Sequence, residues 1–466
     1  MIHLTKLKAL VFLLLVLQFS SCKKTEDIDP ADATSKEVDE WIHEQMKTYY
    51  LWTDQMPLLT ATNTALAPDD YFESILVKPG ELDRFSWIQE SSEELTNSLN
   101  GKNTALGIRT APFYSNTAKT KVTLAIAYAL KGSPAEKAGI KRGDFITQVD
   151  GKDLTPENYG TALSAETMTV TLGEYSSGEV INTTKTVTMT KAELQTDPIQ
   201  YSTVIEKGNK KIGYLVYLQF LTQYDDKLRQ TFADFKAKGV NELVLDLRYN
   251  PGGYISSSDI LSSLIVKNLN PNLLMNKQEW NTTMTKAYVD KYGPEVFETK
   301  FRNEANNLGT LNRVYILTSS GTASASELVI NNLKPFMDVI LIGGNTYGKN
   351  VGSITISDSK KRWKWGMQPI VLKTVNAKGE SNYGTKDGFT PDFKVSDNVI
   401  PFKPFGDVNE TFLKVAVEQI TGQPVVASAN ARKVADKQVQ LLSNSFPLDN
   451  PRADRKEMWV DKLPGQ

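Results

Sequence analysis

Between residues 212 and 353 the chain repeats one pattern, a short apolar run followed by a helical segment. The runs lie at 212–218, 242–247, 314–318 and 339–342. Between the first two, Leu228, Phe232 and Phe235 fall on one helical face, and Gly239 marks its stop. Strand and helix alternating in this way predict α/β layers. Residues 267–312 interrupt the pattern, polar and aromatic by turns, and read as a helical insertion beside the core.

The stretch 314–353 carries the chemistry. It reads as strand, tight turn, helix over about 323–334, strand, and a glycine-rich loop ending at Lys349. Ser324 stands among small residues at the predicted helix start, where free N–H groups and the positive dipole end face a developing oxyanion. Ser320 and Ser326 are its neighbouring alternatives. Lys349 is the candidate base. A lysine is basic only when neutral, so burial must disfavour its charged form by about 4 kcal/mol. Asp338 and Asp358 are its nearest acids in sequence and are not adjacent; a buried carboxylate partner would hold it protonated. Asn250-Pro251-Gly252-Gly253 follows a continuous apolar strand, and its glycines can turn N–H groups toward a bound carbonyl.

Elimination points the same way. The chain has two histidines, His3 and His43, and one cysteine, Cys22. His3 and Cys22 lie in or beside a targeting segment, which removes a histidine-rich zinc site, a thiol nucleophile and an intramolecular disulfide. His43 reads as a surface or boundary residue of an N-terminal helix. A hydrolase built on this inventory needs a lysine or carboxylate base. GGNTYGK (343–349) matches a phosphate-loop pattern, but Asn350 follows where Ser or Thr is needed and the next segment reads as strand, which argues against nucleotide binding. With 53 basic and 54 acidic residues there is no electrostatic case for nucleic acid.

Outside the core, residues 1–21 carry Lys6 and Lys8 before the apolar run 9–17, and Ser20 and Ser21 precede Cys22. This resembles a bacterial lipoprotein signal, with Phe19 where such signals usually carry Leu, Val or Ile. The resemblance implies lipidation at Cys22, a solvated tether over 22–33, and a cell-envelope location at the outer membrane or periplasmic face. Residues 34–100 read as a small helical domain, with a capping box at Thr34 and Glu37 and a second helix near 68–77. Residues 104–190 resemble a PDZ domain: Leu106-Gly107-Ile108 as the carboxylate-holding loop, alternating Val122, Leu124, Ile126 and Tyr128 as a half-buried strand, and GSPAEKAGIKRGDFITQVDGKDL (132–154). Such a domain takes an extended peptide by strand addition. Residues 421–466 form a C-terminal extension without a motif, read as partly helical.

LDLRYNPGG, TSSGTASASE, IGGNTYGK and DGFTPD, together with DRFSWI (83–88) and the PDZ-like stretch, resemble the C-terminal processing (tail-specific) serine proteases over about residues 35–420. The resemblance implies a multidomain α+β chain whose core, over 200–420, is a ClpP/crotonase-like layered α/β protease. It implies Ser324 as nucleophile and Lys349 as base, 25 residues apart as in the family, with an oxyanion hole from backbone N–H groups of Gly252 or Gly253 and of Ala325. Many relatives carry a glutamine four residues after the lysine; Ser353 stands there, with a shorter reach. The expected activity is cleavage of polypeptides through an acyl-enzyme, with apolar substrate C-termini selected by the PDZ domain and no metal or organic cofactor. The alternative is a peptide-binding envelope lipoprotein on the same scaffold that does not cleave.

Overall fold

A computed structural model of the chain describes residues 34–425, 437–442, 456–460 and 463. The signal-like segment, Cys22 and the whole tether over 22–33 lie outside them. Helix α1 (Ser35–Tyr49) opens on the expected capping box: Thr34 Oγ1 accepts from Glu37 N, and Glu37 Oε2 accepts from Thr34 N at 3.1 Å. Its Val38, Ile42 and Met46 pack with Tyr71 and Phe72 of α2 (Pro68–Ser74). His43 is buried rather than at the surface, its Nε2 3.0 Å from the Pro57 carbonyl.

The PDZ unit is an antiparallel sheet in the order β1 (Ile108–Tyr114), β2 (Val122–Ala129), β3 (Phe145–Val149), β4 (Thr167–Ser176), β5 (Glu179–Thr190). Contrary to the alternation read from sequence, β2 is buried at every position. Leu124 and Ile126 enter the PDZ core, while Ala125, Ala127 and Tyr128 pack against the neighbouring core, which therefore covers the face expected to be wet.

The core is built on a six-stranded sheet in the order β6 (Ile199–Lys207), β7 (Lys210–Tyr217), β8 (Glu242–Asp246), β12 (Arg313–Thr318), β13 (Asp338–Gly343), β16 (Phe393–Lys394). It is parallel from β7 onward. Alternate side chains of each strand enter two apolar layers, as the continuous runs require. Leu215, Leu245 and Ile316 pack against helices α3 (Asp225–Ala237), α4 (Ile255–Ile265) and α6 (Ala325–Leu333). Tyr214, Val216 and Leu317 pack against α7 (Thr411–Thr421) and the PDZ unit.

A second sheet stands beside this one, in the order β9 (Gly252–Tyr254), β17 (Glu457–Trp459), β14 (Val351–Ser353), β15 (Ile370–Asn376), β10 (Leu274–Trp280), β11 (Glu298–Lys300). One expectation is corrected here. The insertion 267–312 contains one helix, α5 (Thr282–Tyr292), but also β10 and β11. Its strand state comes from pairing with β15, Trp280 opposite Leu372, and not from local periodicity. Of the extension 421–466, residues 437–438 and 457–459 form strands, with Met458 and Trp459 buried, and most of the rest, where helix was expected, lies outside the described residues.

Candidate active site

Three loops leave the carboxyl ends of adjacent parallel strands at one level, since Asp246 of β8 pairs with Leu317 of β12, and Thr318 with Gly343 of β13. Sites in α/β sheets gather at such ends. The loop after β8 holds residues 247–251, the turn after β12 ends at Ser324, and the loop after β13 holds Lys349.

Ser324 is the N-cap of α6, with φ +64° and ψ −115°, a conformation costly for a residue with a Cβ. Neighbouring bonds hold it there. Ala323 N and Ser326 Oγ both donate to the Asn250 carbonyl at 3.1 Å, and Thr322 Oγ1 donates to Leu247 O at 2.8 Å. The Ser324 hydroxyl is buried and makes no hydrogen bond among the described residues. Of the neighbouring serines, Ser326 is thus committed to structure.

Glu327, one turn into α6, was not singled out from the sequence. It is buried, and its two oxygens gather both halves of the site. Oε2 accepts from Ser324 N (2.8 Å) and Lys349 N (2.9 Å); Oε1 accepts from Gly348 N (2.7 Å) and Thr346 Oγ1 (2.5 Å). Burial pushes its carboxyl up to about 7 against the pull of those donors. The spacing S-x-x-E at a helix start was the available signal, legible as a capping box.

Lys349 is fully buried. Gly348 before it has φ +86°, and a Cβ there would stand 1.6 Å from the Thr385 carbonyl, so only glycine fits. The lysine Nζ lies 4.9 Å from the centre of the Phe85 ring, and Arg84 donates to the Gly348 carbonyl, which brings DRFSWI to the site. A carboxylate is present after all, supplied from far along the chain. Lys349 Nζ donates to Lys456 O at 2.6 Å and to Glu457 Oε2 at 3.2 Å, and Glu457 Oε1 accepts from Trp87 Nε1 at 2.7 Å.

Ser353 does not meet the lysine through any hydrogen bond among the described residues; its Oγ donates to Met458 O at 3.3 Å. The Gly252 N–H donates to Asn250 Oδ1 at 2.9 Å, and the parallel pairing of β9 with β17 turns the Gly253 N–H to the Glu457 carbonyl, which leaves Ala325 as the oxyanion candidate. Behind these loops Arg248 is fully buried, bonded to both oxygens of Asp246 (3.0 and 2.7 Å) and to Glu410 (2.8 Å). Arg142, from the PDZ unit, reaches the same Glu410 at 3.2 Å. Of the expected peptide-holding loop, Gly107 and Ile108 line a cavity with Tyr128, Leu130 and Pro251, so the PDZ loop faces the turn that carries the glycines, while Leu106 is buried in the PDZ core.

Comparison with known proteins agrees with this architecture. A family model described as "Peptidase family S41" matches residues 211–395, its N-terminal domain 37–87, and a PDZ domain 126–172. A crystal structure assigned as an S41 protease from Bacteroides fragilis NCTC 9343 superposes with TM-score 0.70 at 28% identity, over 82% of this chain and 97% of that one. A protein assigned as a CtpA-like serine protease of Staphylococcus epidermidis (strain ATCC 12228) is 24% identical over 71% of this chain and 64% of its own length. A "Carboxyl-terminal-processing protease" of Picosynechococcus sp. is 29% identical over 49% of this chain and 51% of its own length. The fold is thus that of a PDZ-bearing serine protease, with a helical N-terminal domain and an S41 core. Residues 211–395 match peptidase family S41, and the chain as a whole is similar to proteins of that family. It spans less than two thirds of the length of these curated relatives.

Proposed function

We propose that the chain is a serine endopeptidase of the C-terminal processing type, acting through Ser324 and Lys349. The observation that carries this reading is the Glu327 carboxylate, which ties the strained serine turn and the loop of a fully buried lysine into one unit. Neutral Lys349 takes the hydroxyl proton as Ser324 Oγ attacks the scissile carbonyl. The Ala325 N–H, joined by that of Gly253 where β17 releases it, receives the oxyanion, and the resulting ammonium returns the proton to the leaving amine. Water then attacks the acyl-enzyme by the same route in reverse order. The loop at Leu106–Ile108 would receive an apolar substrate C-terminus. No metal or organic cofactor enters the scheme.

The test is intact-protein mass spectrometry after treatment with a serine-directed fluorophosphonate. One adduct is expected on the wild type and none on Ser324→Ala, while Lys349→Ala should lower peptide turnover by about 10⁴-fold or more. Turnover retained in Lys349→Ala would refute the dyad. One observation favours the second reading, a peptide binder that does not cleave: Lys349 is ion-paired with Glu457, and an ammonium is no base. An adduct absent from the wild type even with an apolar-tailed peptide bound would establish that reading.

The signal-like segment supports attachment to the cell envelope through a lipid on Cys22. Metabolic labelling with an alkynyl fatty acid should mark the wild type and not Cys22→Ala; equal labelling would dismiss the anchor.

A further inference from the structure

The late strand β17 lies between β9, which carries Gly252 and Gly253, and β14, which follows the Lys349 loop. It runs parallel to β9, with Glu457 opposite Gly252 and Trp459 opposite Tyr254. Glu457 N donates to Pro251 O at 3.0 Å, and Val460 N to Ser353 O at 3.1 Å. Its approach to the site is close. A Cβ on Gly252 would stand 2.0 Å from the Glu457 carbonyl oxygen and 2.9 Å from Ser324 Cβ. Residues 456–460 therefore lie as an extended chain between the strand of Gly252 and Gly253 and the strand that follows Lys349.

Their chemistry there is not neutral toward catalysis. The Lys456 carbonyl and the Glu457 carboxylate take the lysine Nζ as a hydrogen-bond donor, while the Ser324 hydroxyl has no partner among the described residues. The lysine Nζ is thus bonded to the inserted segment, and no hydrogen bond joins it to the nucleophile among the described residues.

A second piece of the same region occupies the other peptide-binding edge. Tyr114 N donates to Gln440 O (3.3 Å), Leu442 N donates to Pro112 O (2.9 Å), and Leu441 pairs antiparallel with Phe113. Residues 440–442 thus extend the PDZ sheet at β1, running toward the Leu106–Ile108 loop, in the manner of an added peptide strand. Leu442 packs on the PDZ core.

We propose that residues 440–442 and 456–460 are a tethered internal ligand that holds the protease inactive, and that an apolar-tailed polypeptide switches it on by displacing them. A tethered occupant competes at high effective concentration, so a substrate must engage strongly to win the β1 edge. Once 456–460 leaves, Lys349 loses its counter-charge and Ser324 gains room for a partner. This inference rests on the Ser324–Lys349 reading.

The test measures the rate of fluorophosphonate labelling of the full chain, with and without a synthetic peptide ending in Ala-Ala-Val, in wild type, Glu457→Gln and Leu442→Asp. Removing the counter-charge in Glu457→Gln should raise the rate about tenfold. Leu442→Asp should raise it by weakening the docking at β1, and the peptide should raise it in the wild type. Rates that stay level or fall in folded variants of both kinds would overturn the proposal and make β17 a working part of the site. If the variants unfold, hydrogen exchange on the wild type decides: peptide binding at β1 that leaves the amides of 457–460 as protected as before refutes displacement, and their exposure supports it. Labelling that survives in Ser324→Ala would instead refute the dyad, an outcome distinct from either.

Discussion

Glu327→Gln replaces two acceptor oxygens by one oxygen and one amide nitrogen at the point where four donors converge. With its nitrogen toward Ser324 and Lys349, the amide would meet two backbone N–H groups and lose both bonds. With its nitrogen toward Thr346 and Gly348, the Thr346 hydroxyl can reverse and accept, so only the Gly348 bond is lost. That orientation should win. A hydrogen bond to a charged group contributes about 1.5–3 kcal/mol, and the two backbone bonds to the remaining oxygen weaken as the charge goes, for a total of about 3 kcal/mol. If that energy positions the nucleophile and the base, kcat/KM on a peptide should fall by about a hundredfold, with little change in the affinity of the PDZ edge for peptide. A loss of less than about threefold would refute the positioning role. Stability offers an independent reading. The folded carboxyl is raised from 4.5 to about 7, so between those values the folded chain holds a proton that the unfolded chain has released. Stability should therefore fall as pH rises through that window, by on the order of 3 kcal/mol. Denaturant titrations of wild type and Glu327→Gln should differ in slope between about pH 4.5 and 7; parallel curves would contradict the burial argument.

Two further substitutions probe the frame around the site. Gly348→Ala should displace the lysine loop, because its Cβ would lie 1.6 Å from Thr385 O at φ +86°, whereas Gly379→Ala, at φ +77° in open space, should cost only about 1 kcal/mol; equal Tm losses in the two would refute the clash. Arg248→Met leaves Asp246 and Glu410 buried without their shared guanidinium and should destabilise by about 3–5 kcal/mol in urea unfolding; a loss under about 1 kcal/mol would mean that Arg142 suffices for Glu410.

Elements with strong local signals are legible in the amino-acid sequence alone. The capping box at Thr34, the apolar runs of the parallel sheet and the helix that opens at Ser324 follow from periodicity and cap chemistry, which act over a few residues. The loop glycines at 252, 253 and 348 are legible as turns, but their necessity appears only with the chain they approach. Where sequence reasoning failed, distant chain segments decided the outcome. Strand β2 is buried on both faces because the protease core covers one of them. Strands β10 and β11 form where a helical insertion was expected, since pairing with β15 outweighs weak local preference.

The partner of Lys349 shows the same division most clearly. The sequence determined that a lysine and a serine stand 25 residues apart on two loops of one α/β core, and that the chain offers almost no histidine or cysteine to replace them. Tertiary structure alone decided that the lysine meets Glu457, 108 residues away, because a carboxylate acts through distance in space and nothing in local pattern encodes which remote strand will be placed beside it.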